Sequence, residues 1–174
     1  MNWLPVPVRA CPYRHSSLRQ HREMEMNLLN IRPACIEDLH FATTLVYTNM
    51  RQYYIDHGIT WSDENFRRTW ESSRGFITIK ANTRVGYLSV TQEPDFLYLH
   101  DLHVVTGHCG QGIGSFMMRF IMDQLLTAPS RRMRLKVFRE NPAISFYERS
   151  GFCTVFRDER FLGMEYKPPE KSVK

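Results

Sequence analysis

Three glycines alternate with other residues in Cys109-Gly110-Gln111-Gly112-Ile113-Gly114, and an apolar run follows at once. Glycine lacks a Cβ, so a bound group can approach the backbone closely and positive φ costs little. Behind the loop, Ile113, Phe116, Met117, Phe120, Ile121 and Leu125 recur at helical spacing. That spacing predicts a helix over 114–127. Ser115, Arg119 and Asp123 form its polar stripe, so most of the helix is expected to be buried. A glycine loop opening a helix aims unpaired N–H groups and the positive dipole end at one spot, which suits a phosphate. Two nucleotide readings fail. A Walker A loop continues Gly-Lys-Ser/Thr, and Gly114-Ser115-Phe116 stands there instead. The dinucleotide fingerprint Gly-x-Gly-x-x-Gly needs a longer last gap than the one between Gly112 and Gly114. Taken alone, the loop serves equally as a ligand-free turn.

A second stretch offers acid–base chemistry. Leu135-Lys136-Val137 reads as a strand, and Asn141-Pro142-Ala143-Ile144-Ser145-Phe146-Tyr147-Glu148-Arg149-Ser150-Gly151-Phe152 follows. Asn141 can cap a short helix, Pro142 fits its first position, and Gly151 fits just past its end. Tyr147 on that helix carries a phenol that stays protonated at neutral pH. Its alternative is a core aromatic.

The two stretches together resemble the GCN5-related N-acetyltransferase (GNAT) family. In that family the loop is usually Arg/Gln-x-x-Gly-x-Gly/Ala and the later stretch Asn-x-x-Ala-x-x-x-Tyr-x-x-x-Gly-Phe. Gly112 and Gly114 match the first pattern, and Asn141, Tyr147, Gly151 and Phe152 match the second. Ile144 fills the usual alanine slot beside Ala143, and Cys109 replaces the usual Arg or Gln. The resemblance covers residues 28–167.

The resemblance implies an α/β (α+β) fold: a mixed, mostly antiparallel central sheet of about six to seven strands with helices on both faces. It implies an N-acetyltransferase with acetyl-coenzyme A as co-substrate and no metal. The acceptor would be a primary amine on a small molecule or peptide, attacked in a direct ternary complex. The backbone of Leu102, His103 and Val104 would pair with the pantetheine arm. The N–H groups of Cys109, Gly110, Gln111, Gly112, Ile113, Gly114 and Ser115 would hold the pyrophosphate, and Asn141 would bond or position the cofactor's amide. Tyr147 would be the general acid. Some relatives carry a Glu where Leu135 stands, so a base is sought on the strand before the loop. Asp101 could act through water, and His100 and His103 titrate in a suitable range. A structural role is the alternative for each. Tyr53, Tyr54 and His57 fall in the connection between the first two helices, which walls the acceptor pocket in that family. Packing of the helix pair explains them equally, and Trp61 reads as core. The rival function is a non-catalytic acyl-coenzyme A sensor on the same fold.

Composition agrees with one domain. The 174 residues are 43% hydrophobic and 24% charged, which suits a packed globule and excludes a disordered chain. The net charge of +5 comes without a dense basic run interleaved with aromatics, so no nucleic-acid partner is expected. Arg131, Arg132, Arg134 and Lys136 form the closest basic cluster. They read as a solvated strand, or alternatively as neighbours of an anionic cofactor. Cys11, Cys35, Cys109 and Cys153 show no metal-like spacing and read as reduced thiols of a cytoplasmic protein. No apolar run approaches the roughly 20 residues of a membrane helix. A homodimer is left open. The domain is expected over 26–168, with a tail at 169–174. Residues 1–25 read as a flexible leader or a misassigned start. They carry Arg9, Arg14, Arg19 and Arg22, a charge pattern like a transit peptide's, but Pro5, Pro7 and Pro12 would break an amphipathic helix.

The remaining elements position these groups. Leu28 to Arg32 reads as a strand ended by Pro33. A helix follows with Ile36, Leu39, Thr43, Val46 and Met50 on one face, its start poorly capped by Cys35. Phe66 and Trp70 mark a second helix capped by Ser62. Phe76 to Lys80 and Val85 to Thr91 read as strands joined by the turn Ala81-Asn82-Thr83. Gly86 suggests a bulge or a close backbone approach. Phe96 to Val105 reads as a strand whose alternation fails near Asp101 and Leu102, which predicts a bulge there. Arg132 to Phe138 and a hairpin of Cys153–Arg157 with Gly163–Tyr166 complete the sheet.

Overall fold

The structure is a computed structural model that describes residues 29–125 and 132–168. The expected leader and C-terminal tail, and positions 126–127 of the predicted helix, lie outside the described residues. In chain order the elements are β1 (Leu29–Pro33), α1 (Leu39–Asp56), α2 (Asp63–Ser72), β2 (Arg74–Lys80), β3 (Thr83–Gln92) and β4 (Leu97–Val104). Then come α3 (Ile113–Leu125), β5 (Met133–Phe138), α4 (Ala143–Arg149), β6 (Phe152–Arg157) and β7 (Phe161–Tyr166). One seven-stranded sheet runs in the order β1-β2-β3-β4-β5-β7-β6. Every neighbouring pair is antiparallel except β4 with β5, which is parallel.

Alternation along the strands builds a core on each face of the sheet. Val85, Leu88, Leu99, Leu135 and Met164 pack against Met117 and Ile121 of α3 and against Tyr147 of α4. Ile77 and Tyr87 point the other way and meet Ala42, Leu45 and Val46 of α1 and Phe66 of α2. Covered on both faces, β3 is buried without interruption from Val85 to Val90, as a central strand should be. On α3, Ser115, Arg119 and Asp123 are exposed, as the polar stripe predicts.

Local signals explain the joints. Ala81 and Asn82 both take positive φ, 46° and 66°, the backbone of a tight hairpin turn whose twist matches its strands. The β2–β3 register shifts between Thr78 and Ile79, beside Gly86. A Cβ on Gly86 would sit 2.8 Å from Met117 Sδ and 3.1 Å from the His103 carbonyl, so this glycine lets α3 close onto the sheet. Ser62 caps α2, its hydroxyl accepting from the Asn65 N–H at 3.2 Å.

Two ion clusters differ from expectation. Ile36 is 68% exposed because residues Ile36–Asp38 form a 3-10 turn, which breaks the helical phase before α1. That start is not poorly tied. Asp38, fully buried, accepts from the Cys35 N–H at 3.0 Å. Its carboxylate also accepts from Arg32 at 2.6 and 2.9 Å and pairs with Arg84 at 2.9 Å. The Arg32 hydrogen bond holds the Asp38 carboxyl well below the usual range. Likewise, Arg132 and Arg134 do not line a merely solvated strand. They converge with Lys167 on buried Glu165, at 2.9, 2.5 and 3.1 Å.

Burial pushes the Glu165 carboxyl up, but hydrogen bonds from Arg134, Arg132 and Lys167 outweigh it and bring it down to about 2. A depressed carboxyl stabilises the fold above its unfolded value near 4.5 and loses that contribution as pH falls toward 2. Wild type should therefore lose about 1–3 kcal/mol more than Glu165→Gln as pH falls from about 7 to about 3. Urea unfolding of both proteins at the two pH values measures this, and parallel losses would show that the cluster adds nothing.

Candidate functional site

The site begins where the sheet comes apart. β4 and β5 pair only through Leu97↔Met133, Tyr98↔Arg134 and Leu99↔Leu135. Both strands continue, β4 to Val104 and β5 to Phe138, without pairing again. The cause lies on the other edge of β4. There Ser89 pairs with Asp101 but Val90 pairs with Leu99, so His100 is an extra residue, and such a bulge bends its strand. The bulge expected near Asp101 therefore exists, and it opens a fork in the sheet. Past the fork the β4 edge at Leu102, His103 and Val104 has no strand partner, although Asn49 Nδ2 donates to the Val104 carbonyl at 3.1 Å.

A cleft of about 1230 Å³ fills the fork. Its walls include Leu102, His103 and Val104, the loop residues Cys109, Gly110 and Gly112, and Ile113, Gly114 and Ser115 at the start of α3. Gly110 and Gly112 have φ of 74° and 83°, a region costly for any residue with a Cβ. Nothing lies within 4 Å of a Cβ built on Gly110, so there the glycine answers to backbone conformation rather than crowding. The Phe116 N–H donates to the Gly112 carbonyl at 3.0 Å and closes the first turn of α3. The N–H groups of Ile113, Gly114 and Ser115 have no partner within the helix and lie at the positive end of its dipole. The Cys109 N–H, expected to join them, instead donates to the Thr106 carbonyl at 3.2 Å and closes the turn before the loop. Gln111 departs from this group. Its side chain accepts from Lys80 Nζ at 3.0 Å and donates to the Gly107 carbonyl at 3.3 Å, and it does not line the cleft.

Asn141, just before α4, and Tyr147, within it, reach the same cleft. Asn141 Oδ1 accepts from the Ala143 N–H at 2.8 Å. That caps the start of α4, and Asn141 itself lines the cleft. Tyr147 is 9% exposed and packs edge-on against Phe146 and Phe152. Among the described residues no side chain or backbone group bonds its hydroxyl. Burial first, and the negative charge of Asp101 second, push the phenol up to about 12.

The bulge sorts the three base candidates. His100 lines the cleft, its Nε2 lies 2.9 Å from Thr91 Oγ1, and partial desolvation pushes its pKa down against the opposing charges of Asp101 and Glu93. Asp101 does not line the cleft, although its charge reaches Tyr54 and Tyr147 there. Ser89 Oγ donates to its Oδ2 at 2.6 Å, and His103 Nε2 lies 3.5 Å from its Oδ1. His103 lines the cleft, with Nδ1 3.5 Å from Asn49 Nδ2.

On the α1 face, Tyr53 and Tyr54 line the cleft from within α1, not from the connection, because α1 runs to Asp56. Tyr53 stacks on Phe138 with ring centres 5.3 Å apart, and Tyr54 meets the same ring edge-on. His57 also stacks on Phe138, but it pairs with Glu140 at 3.3 Å and stands outside the cleft. Trp61 packs among Tyr47, Tyr54 and Phe66, as a core residue. Among the described residues no three His, Cys, Asp or Glu side chains are grouped as a metal site would require. No helix among them is long and apolar enough to cross a membrane.

A family model described as "Acetyltransferase (GNAT) family" matches residues 43–152. The chain belongs to the GNAT acetyltransferase family. No curated protein sequence matches it significantly. Solved structures of low identity share the GNAT fold. The paia N-acetyltransferase from Thermoplasma acidophilum in complex with coenzyme A is 20% identical, with TM-score 0.68 over 80% of this chain and 99% of that one. The ribosomal-protein-S18-alanine N-acetyltransferase from Escherichia coli is 18% identical, with TM-score 0.62 over 82% and 97%. Arabidopsis thaliana Naa50 in complex with the bisubstrate analogue CoA-Ac-MVNAL is 16% identical, with TM-score 0.65 over 81% and 99%.

Sequence reasoning missed several walls of this GNAT cleft. Asn49, Phe138 and Phe161 line it, yet none belongs to a local motif. The aromatic residue closing β5 just before the Asn141 stretch was the available signal for Phe138.

Proposed function

We propose that this GNAT protein transfers the acetyl group of acetyl-coenzyme A directly to a primary amine. The forked β4–β5 pair beside a left-handed glycine loop carries the reading. One open strand edge and one set of converging N–H groups suit an extended arm that ends in a pyrophosphate. Asn141 in the cleft wall and the clear space around Gly110 fit the same ligand.

Acetyl-coenzyme A supplies a thioester carbonyl open to attack and a thiolate leaving group. The amine nitrogen forms the new C–N bond, the C–S bond breaks, and the amine's proton must go elsewhere. The protein's main contribution is to hold the two reactants together, which can supply roughly 7–11 kcal/mol when the geometry is ideal. Tyr147 stands ready to donate its O–H toward the sulfur. With its phenol held at about 12, full transfer to a thiolate of pKa ~8.5 is uphill by roughly 5 kcal/mol. Its role is therefore a hydrogen bond to the developing thiolate. His100, facing the cleft, accepts the amine's proton. Asp101 lies one layer behind and supports the resulting positive charge, or takes the proton through water. Tyr53 and Tyr54 wall the amine's approach.

Calorimetry with acetyl-coenzyme A, followed by thiol release across a panel of primary amines, tests the reading. Micromolar binding and amine-dependent release are expected. Binding without release for any amine would leave a sensor, and no binding would remove the proposal altogether.

A further inference from the structure

Resting on that reading, we propose that the acceptor of this protein is a primary amine bearing a carboxylate, recognised by Lys136 at the mouth of the fork. Lys136 is the first residue of β5 past its last pairing with β4. Its side chain lies on the α1 face of the sheet, where its Nζ sits 5.6 Å above the Phe161 ring and lines the cleft. Phe161 in turn packs on Phe138 with ring centres 4.5 Å apart, so Lys136 stands beside the Tyr53 and Tyr54 wall. Its neighbour across β7 is Gly163, which covers none of its stem.

On the cleft side the charge is one-sided. Among the described residues no Asp or Glu side chain lines the cleft. The nearby acids are already engaged. Glu165 is held by Arg132, Arg134 and Lys167. Asp158 feels the charge of Lys136, but it forms no ion pair with it and accepts the N–H groups of Arg160 and Phe161 at 2.8 and 2.6 Å. Asp101 is turned to Ser89, and Glu140 to His57. Arg149, the other permanent cation of the cleft, belongs to α4 on the opposite face of the sheet. Lys136 is thus an exposed ammonium on the acceptor side with no carboxylate within ion-pair distance among the described residues. An ammonium so placed, held over an aromatic ring, is a point-charge receptor for an anion. A polyamine or lysine-rich acceptor would meet like charge there and find no counter-charge. An amine with a carboxylate would present its anion to Lys136 and its nitrogen to the fork.

The test compares matched acceptors. L-methionine, L-phenylalanine and L-aspartate are each assayed against their α-amides, with spermidine as the cationic limit, for wild type, Lys136→Met and Lys136→Arg. In wild type at least one acid should exceed its amide by about tenfold or more in kcat/KM, the usual worth of a charge-assisted contact. Lys136→Met keeps the stem and removes the charge, so the acid-to-amide ratio should collapse toward unity through KM. Lys136→Arg should retain part of it. Acetyl-coenzyme A affinity should be the same in all three proteins. Faster turnover of the amides or of spermidine, or a ratio unmoved in Lys136→Met, would overturn the proposal. So would weakened acetyl-coenzyme A binding in Lys136→Met, which would place Lys136 on the cofactor side. Absence of turnover with every acceptor, while acetyl-coenzyme A still binds, also overturns it. Failure of wild type to bind acetyl-coenzyme A is a different result and removes the transferase reading instead.

Discussion

Replacing Tyr147 by phenylalanine is expected to lower kcat about a hundredfold, with acetyl-coenzyme A affinity and melting temperature little changed. The ring keeps its contacts with Phe146 and Phe152. The hydroxyl has no hydrogen-bond partner among the described residues, so its removal breaks nothing in the folded protein. What is lost is a donor aimed into a cleft where negative charge develops on sulfur. Donors of that kind are worth about 10²–10³ in kcat. The low end applies because a thiolate is a fair leaving group and needs less help than an alkoxide. The phenol, pushed up to about 12 by burial and by Asp101, stays protonated across every practical assay pH. Its titration therefore cannot shape the pH profile, and wild type and Tyr147→Phe should give parallel kcat–pH curves separated by a constant factor. Steady-state turnover from about pH 6 to about pH 10 with one confirmed amine decides it. Equal kcat would make Tyr147 a packing residue. A loss that shrinks as pH rises, with the two curves converging at high pH, would mean that the phenol ionises within range and acts as a true proton donor.

The parts of this site that depend on backbone chemistry were legible in the sequence, and the parts that depend on cross-strand neighbours were not. Gly110 and Gly112 advertise positive φ, Asn141 and Pro142 advertise a helix start, and broken alternation before the loop advertises a bulge. Each of these signals is local. A bulge, however, fixes facing only to the residue on which it falls. Because it falls on His100, that imidazole reaches the cleft and Asp101 turns to Ser89. The sequence alone could not choose between them. Nothing local in the sequence marks Asp38, because its burial against Arg32 and Arg84 depends on two strands of the sheet meeting the start of α1. Lys136 read as one member of a basic run. Only the pairing of β5 with β7 shows that Arg132 and Arg134 are spent on Glu165 while Lys136 is not. Gln111 sits inside the motif, yet Lys80 and Gly107 turn its side chain away.

The loop offers the second large effect. Gly112→Val is expected to weaken acetyl-coenzyme A binding at least thirtyfold, roughly 2 kcal/mol or more, while the protein still unfolds cooperatively near the wild-type temperature. Gly112 has φ of 83°, and a β-branched residue there costs about 1–2 kcal/mol in conformational strain. The chain can relieve that strain only by rotating the backbone. Gly112 is the residue whose carbonyl closes the first turn of α3 on Phe116, so rotation swings the neighbouring N–H groups out of convergence. Each charge-assisted bond lost to the pyrophosphate adds about 1.5–3 kcal/mol. Stability should suffer less than affinity, because α3 is anchored by Met117, Ile121 and Leu125, all buried in the core beyond the loop. Gly107→Ala is the control. It lies in the same connection, has no left-handed φ, and a Cβ there meets nothing within 4 Å, so its affinity should equal wild type. Calorimetric titration of the three proteins, with thermal unfolding on the same samples, separates the outcomes. If folded Gly112→Val binds acetyl-coenzyme A as tightly as wild type, the N–H groups of this loop do not hold the pyrophosphate, and the phosphate subsite must lie elsewhere along the cleft.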